Sequence, residues 1–126
     1  MARTKAARQN ITQQIQYVKT RKITFADDGV AVKTDGMIPA GSLIIKPMSG
    51  FQVNVAFDGS AVVDAGPTTN DDLWATDLAT GTVTFVPLDE AVTMSVGTSD
   101  VQPIFTMSGG TVTAGEGYGL IAFIKL

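Results

Sequence analysis

The amino-acid sequence predicts an all-β protein, an antiparallel β-sandwich or barrel of about eight short strands with an extended basic N-terminal arm. Short apolar runs recur along the chain, each closed by a turn motif built from Gly, Asp, Asn or Pro. Thirteen glycines are spread over 126 residues, and scarcely any segment carries a helical period. A chain of this length is one domain, able to bury about two thirds of the surface its unfolded form exposes.

The elements follow in order. Residues 1–22 form the arm and residues 23–126 the body. The first ten residues are small, basic and polar, with nothing to pack. From Ile11 two patterns compete: Ile11, Ile15 and Val18 fit a helical stripe, whereas Ile15, Tyr17, Lys19, Arg21, Ile23 and Phe25 alternate as a strand does. Extended structure over about residues 15–25 is favoured, with Tyr17, Ile23 and Phe25 as its apolar members. Residues 30–32 form a run closed by Thr34-Asp35-Gly36, and Ile38-Pro39-Ala40-Gly41 suits a type I turn into a strand at residues 43–48. Pro47 places that strand at an edge or a bulge. The clearest strand is residues 51–57, where Phe51, Val53, Val55 and Phe57 share one face. Asp58-Gly59 predicts a hairpin into Ala61, Val62 and Val63.

Residues 64–81 read as a long polar connection, in which Asn70 caps one helical turn and Leu73 with Trp74 anchors the loop. Four more strands are expected at residues 82–86, 92–96, 101–107 and 118–126. The last is apolar on both faces over Leu120 to Ile124, so it belongs at the centre of a sheet. No internal repeat is seen. Exposed sheet edges in such a domain favour oligomerisation.

Charge is divided unevenly. Residues 1–22 hold six cations and no carboxylate, and residues 23–126 hold three basic and twelve acidic side chains, formally −9. A basic segment on an anionic body reads as an interaction tail. Charged residues make up only 17% of the chain, so the surface rests on Thr, Ser, Gly, Asn and Gln and favours contact with protein.

The absence of Cys and His excludes disulfides, thiolate nucleophiles, His-based catalytic pairs and imidazole metal ligands, and suits synthesis in a reducing compartment. No apolar stretch follows the basic start and no run approaches membrane-spanning length, so neither a secretory signal nor a membrane contact is expected. The glycosylation match Asn10-Ile11-Thr12 is then a chance one. Carboxylates are the remaining catalytic candidates, at Asp27-Asp28, Asp71-Asp72 with Asp77, Asp89-Glu90, Asp100 and Glu116. Almost all sit beside Gly, Thr, Asn or Pro and read as turn formers, so no enzyme is expected. Asn70-Asp71-Asp72 lacks the ligand spacing of a calcium loop, and Gly115-Glu116-Gly117-Tyr118-Gly119 lacks the Lys and the helix of a phosphate cradle, so neither metal nor cofactor is assigned. Nucleic acid competes for the arm, yet only Tyr17 offers stacking and a body of −9 repels a duplex. An acidic protein surface fits better.

Ile38-Pro39-Ala40-Gly41-Ser42-Leu43-Ile44-Ile45, followed by Phe51 to Gly59 and by Thr113-Ala114-Gly115 before the last strand, resembles a motif of small tailed-bacteriophage structural proteins. The resemblance covers roughly residues 23–126, with Val63-Asp64-Ala65-Gly66-Pro67 where that group carries a Gly-Thr-rich turn. It implies a small all-β virion protein. Related ones decorate or cement icosahedral heads, often as homotrimers, which places this chain at the capsid surface after synthesis in the host bacterial cytoplasm. Its partners are then the major capsid protein and itself. Arg3, Lys5 and Arg8 are the first candidates for capsid contact, with Lys19, Arg21 and Lys22 beside them on a strand. Residues 43–48 and 101–107 are candidate subunit interfaces. The alternative is a tail or fibre module binding receptor or carbohydrate, with Asn70, Asp71 and Trp74 as a sugar platform.

Overall fold

The computed structural model describes residues 14–90 and 95–126. Among them the chain forms ten strands: β1 (Gln16–Lys19), β2 (Ile23–Thr24), β3 (Ala31–Lys33), β4 (Ser42–Ile44), β5 (Gly50–Val55), β6 (Val62–Pro67), β7 (Ala75–Ala79), β8 (Phe85–Pro87), β9 (Pro103–Ser108) and β10 (Glu116–Lys125). Two antiparallel sheets pack as a sandwich. The expected closed barrel is not formed, and the expected sandwich is. No helix among the described residues is long and apolar enough to cross a membrane.

In the six-stranded sheet β10 is central, as its two apolar faces foretold. β1 and β2 line one side of it, β4 and β5 the other, and β8 continues beyond β5. The four-stranded sheet runs β3-β9-β6-β7. Phe51, Val53, Phe105, Met107, Ile121 and Phe123 fill the space between the sheets, with the Phe51 ring 6.4 Å from Phe105. Gly119 lies directly over the Phe105 ring, so the sheets approach where a Cβ has no room.

The chain changes sheets at β2–β3, β3–β4, β5–β6, β7–β8, β8–β9 and β9–β10. That routing overturns the expected β5–β6 hairpin. Asp58-Gly59-Ser60-Ala61 does form a tight turn, with positive φ at Gly59 and Ser60 and the Ala61 N–H donating to the Asp58 carbonyl at 3.3 Å. It turns a corner between sheets, so its flanking strands never pair. The consecutive strands that do pair are β6 and β7: β6 starts at the expected Val62-Val63 run, and the rest of the pair lies in the stretch read as a polar connection. Asp77, at φ +55°, sits at an irregularity of this ladder, and the Asp64 carboxylate accepts its N–H at 2.8 Å. Residues 70–73 form a plain turn in which Leu73 N–H donates to the Asn70 carbonyl, in place of the expected helical turn.

Three further expectations are corrected. Gly41 has φ +79° and Ser42 N–H donates to the Pro39 carbonyl, a geometry that type I turns do not use. The strand at residues 43–48 ends at Ile44, and Lys46–Met48 winds into a 3-10 turn around Pro47. Ser49 repairs the break: its hydroxyl accepts from the Ala122 N–H at 2.8 Å and donates to the Ile45 carbonyl. In β5 a bulge opposite Glu116 and Gly117 shifts the alternation, leaving Val55 43% exposed although Phe51, Val53 and Phe57 are buried. The expected strand at residues 92–96 lies mostly outside the described residues; Ser95 pairs with Leu43 and Val96 is buried.

Candidate binding surface

β1 belongs to the sheet. Gln16 to Lys19 pair with Phe123 to Leu120, so the boundary drawn at residue 22 falls inside the six-stranded sheet. Val18 faces the core, which turns Tyr17 and Lys19 outward, opposite to the expected apolar phase; Ile23 is buried and Phe25 is half-exposed in a 3-10 turn. Of the cations assigned to contact, Arg21 makes a two-pronged pair with Asp27, both bonds at 2.9 Å, and Lys22 pairs with Glu116 at 3.0 Å. Lys19 extends outward, its backbone N–H donating to Asp35 at 3.1 Å. Arg3, Lys5 and Arg8 lie outside the described residues, as does the Asn10-Ile11-Thr12 match.

Most remaining carboxylates hold loops. Asp28 accepts the Gly109 N–H, Asp89 that of Thr76 and Asp100 that of Ala40, each linking segments distant in sequence. Asp58 accepts the Thr113 hydroxyl and the N–H groups of Thr113 and Ala114. These bonds, the Thr113 hydroxyl foremost, hold the Asp58 carboxyl below its ordinary pKa. Asp27 is lowered first by its bond from Arg21. Among the described residues no group of three or more carboxylates is placed to hold a metal ion. An open groove of about 430 Å³ at Arg21, Ala31, Val32, Lys33 and Asp35 brings together no acid and base suited to catalysis.

Trp74 is 4% exposed and belongs to the core cluster, with Leu73 packed against it. Its ring is a loop anchor, so Asn70 and Asp71, both exposed, stand without the aromatic platform a sugar would stack on.

The feature that residue-by-residue reading missed lies on the outside of the six-stranded sheet. Because Ile121 and Phe123 face the core, Tyr118, Leu120, Ala122 and Ile124 face out. Their registers align outward side chains in rows across the strands. Ile124 stands opposite Leu43, with Ile15 on its other side by continuation of the β1 ladder. Ala122 stands between Tyr17 and Ile45, whose N–H donates to its carbonyl at 2.8 Å. Leu120 lies between Lys19 and Gly50, and Tyr118 opposite Gln52, which pairs with Phe85. Tyr17 is 66% exposed and Leu43 40%. Lys19 is the one charge within these rows; Lys46 and Lys125 lie at the ends of the contributing elements, and Glu116, the carboxylate on β10, is paired with Lys22. The signal was present in the sequence as the unbroken apolar run of β10, but the rows exist only once register is known.

Across the molecule the outer side of the four-stranded sheet carries Asp64, with Asp71, Asp72 and Asp77 around it. Partial burial is the main cause that raises the Asp64 pKa, and those three neighbouring carboxylates add to it. The other candidate interface, residues 101–107, is used internally: β9 lies between β3 and β6, and Phe105 and Met107 are core.

No family model and no curated protein matches the sequence. A chain of a solved structure described as the cyanophage Pam1 capsid asymmetric unit superposes on this one with a TM-score of 0.66, over 90% of this chain and 86% of that one, at 10% sequence identity. The two chains share a fold. The likeness spans both sheets and nearly the whole length of each, so it concerns the complete sandwich rather than a common hairpin.

Proposed function

We propose that this chain is a structural component of a bacteriophage virion, a decoration or cement protein that binds the head shell and stabilises it without catalysis. The observation that carries the reading is the fold shared over 90% of the chain with a component of a cyanophage capsid. Two features support it: the carboxylates that an enzyme would need hold loops instead, and the sheet that β1 enters has an apolar outer side, with a basic sequence preceding β1. The major capsid protein is the main partner and the protein sits at the capsid surface. Copies associate, as trimers in the arrangement the phage resemblance implies, and Arg3, Lys5 and Arg8 add charge-assisted contacts that sum over many copies.

Image reconstruction of the particle tests this directly. Density for the sandwich on the outer shell is expected, and density confined to the tail or its fibres overturns the decoration role. Deleting residues 1–10 should leave the fold intact and weaken attachment to purified heads most strongly at low salt. Equal attachment at every salt concentration removes the basic segment from the contact.

A further inference from the structure

We propose that the outward side of the six-stranded sheet is the surface by which this chain seats on a shell subunit, and that the matching surface there is an apolar patch bordered by carboxylates. The inference rests on the virion reading above and adds which side of the domain faces the shell.

Folding buries one side of a two-layer sandwich sheet and leaves the other to water, where polar side chains normally stand. Here the second side keeps apolar rows, centred on Tyr17, Leu43, Leu120 and Ile124, that the described residues leave partly open to water. Contiguous exposed apolar surface with a polar rim is what docking sites present. The charges select the occupant. Lys19 stands within these rows and Lys46 follows Ile45 at their edge, without a free carboxylate among β1, β4, β5, β8 and β10, because Glu116 is committed to Lys22. The thirteen residues before Gln14 hold Arg3, Lys5 and Arg8 with no acidic side chain, and the described chain enters the six-stranded sheet through Ile15, in the outermost row. Among the described residues the charge on the apolar side is therefore positive.

A second copy complements this surface poorly. Face to face, two copies bring their lysines together with no carboxylate between them. Face to back, the apolar rows meet the side that carries Asp64, Asp71, Asp72 and Asp77, a charge match without apolar rows. An apolar patch edged by carboxylates on a different protein meets both demands, and the same carboxylates repel the four-stranded sheet, so the domain seats one way round.

The test uses the full chain and heads purified from particles that lack it. Tyr17→Glu and Leu43→Glu each place a carboxylate in the rows, and Ala31→Glu places the same charge on the outer side of β3 in the other sheet. Thermal melts identify which variants are folded, and two independent positions keep the test open if one is not. Wild-type protein should cosediment with the heads, both row variants should bind about tenfold more weakly or worse, and Ala31→Glu should stay within about twofold. If wild-type protein binds and the row variants bind equally well, the surface is misassigned while the virion role stands. If wild-type protein fails to bind at any salt concentration, the virion reading itself falls. A row variant that turns an oligomer into a monomer in sedimentation, with unchanged affinity per chain for heads, assigns the rows to a second copy and overturns the proposal.

Discussion

The two outer sides of this sandwich obey different rules. The four-stranded sheet shows water a polar, acidic side around Asp64, and the six-stranded sheet shows apolar rows edged by lysine. Both sheets bury their inner sides in one common core, so the difference owes nothing to folding. A single exposed apolar side chain is ordinary, but contiguous rows of them call for a partner, whereas an acidic side chain facing water needs no further explanation.

The shared core sets the largest expected effect. Phe105 belongs to the four-stranded sheet, is fully buried, and touches Gly119 of the other sheet, so Phe105→Ala should cost about 3–5 kcal/mol in urea unfolding. One transition should be seen by both Trp74 fluorescence and far-ultraviolet circular dichroism; two would mean that the sheets are separable and the comparison ill-founded. Gly119→Val forces a side chain against that ring and should cost about 1–3 kcal/mol in the same assay.

Acid titration separates the two sides more finely. Asp27 is held below its unfolded value of about 3.9, so its stabilisation is present above that pH and is lost as pH falls through the lowered folded value. Asp64 is raised, so its favourable contribution exists below the unfolded value and disappears as pH rises through the folded one. Asp64→Asn should therefore stabilise at pH 7, by under about 1 kcal/mol, and make no difference below about pH 3. A loss of stability at pH 7 would mean that the Asp77 N–H bond outweighs the burial of charge. The smallest effect belongs to the apolar rows: Tyr17→Ala and Leu43→Ala should each change the stability of the isolated chain by about 0.5 kcal/mol or less. A larger loss would show that these side chains serve the fold after all.

Much of the fold was legible in the sequence because turn chemistry and apolar runs are local. The central place of β10 followed from Leu120 to Ile124 alone. Partnership between strands was not legible. Asp58-Gly59 marks a tight turn whether its strands pair or part, and the sheet change after β5 depends on contacts far along the chain. β7 escaped notice because Ala75-Thr76-Asp77-Leu78-Ala79 alternates poorly and its ladder is irregular near Asp77. At the candidate surface, the spacing of Lys19, Arg21 and Lys22 was plain, yet the carboxylates that neutralise two of them come from Asp27 and from Glu116 at the opposite end of the chain. The apolar rows draw on strands up to about a hundred residues apart, a distance over which no periodicity in one segment can report.

Strand β1 runs alongside β10 with Gln16 beside Phe123, so Gln14 and Leu126 emerge at the same rim of the sandwich. With the six-stranded sheet seated on a shell, a peptide appended after Leu126 is trapped near the contact, where it competes with docking. The turn at Asn70, Asp71 and Asp72 is exposed on the opposite flank and pinned by Trp74. Under that seating a cargo spliced there would ride outward, and the loop would be the permissive address for displaying foreign sequence.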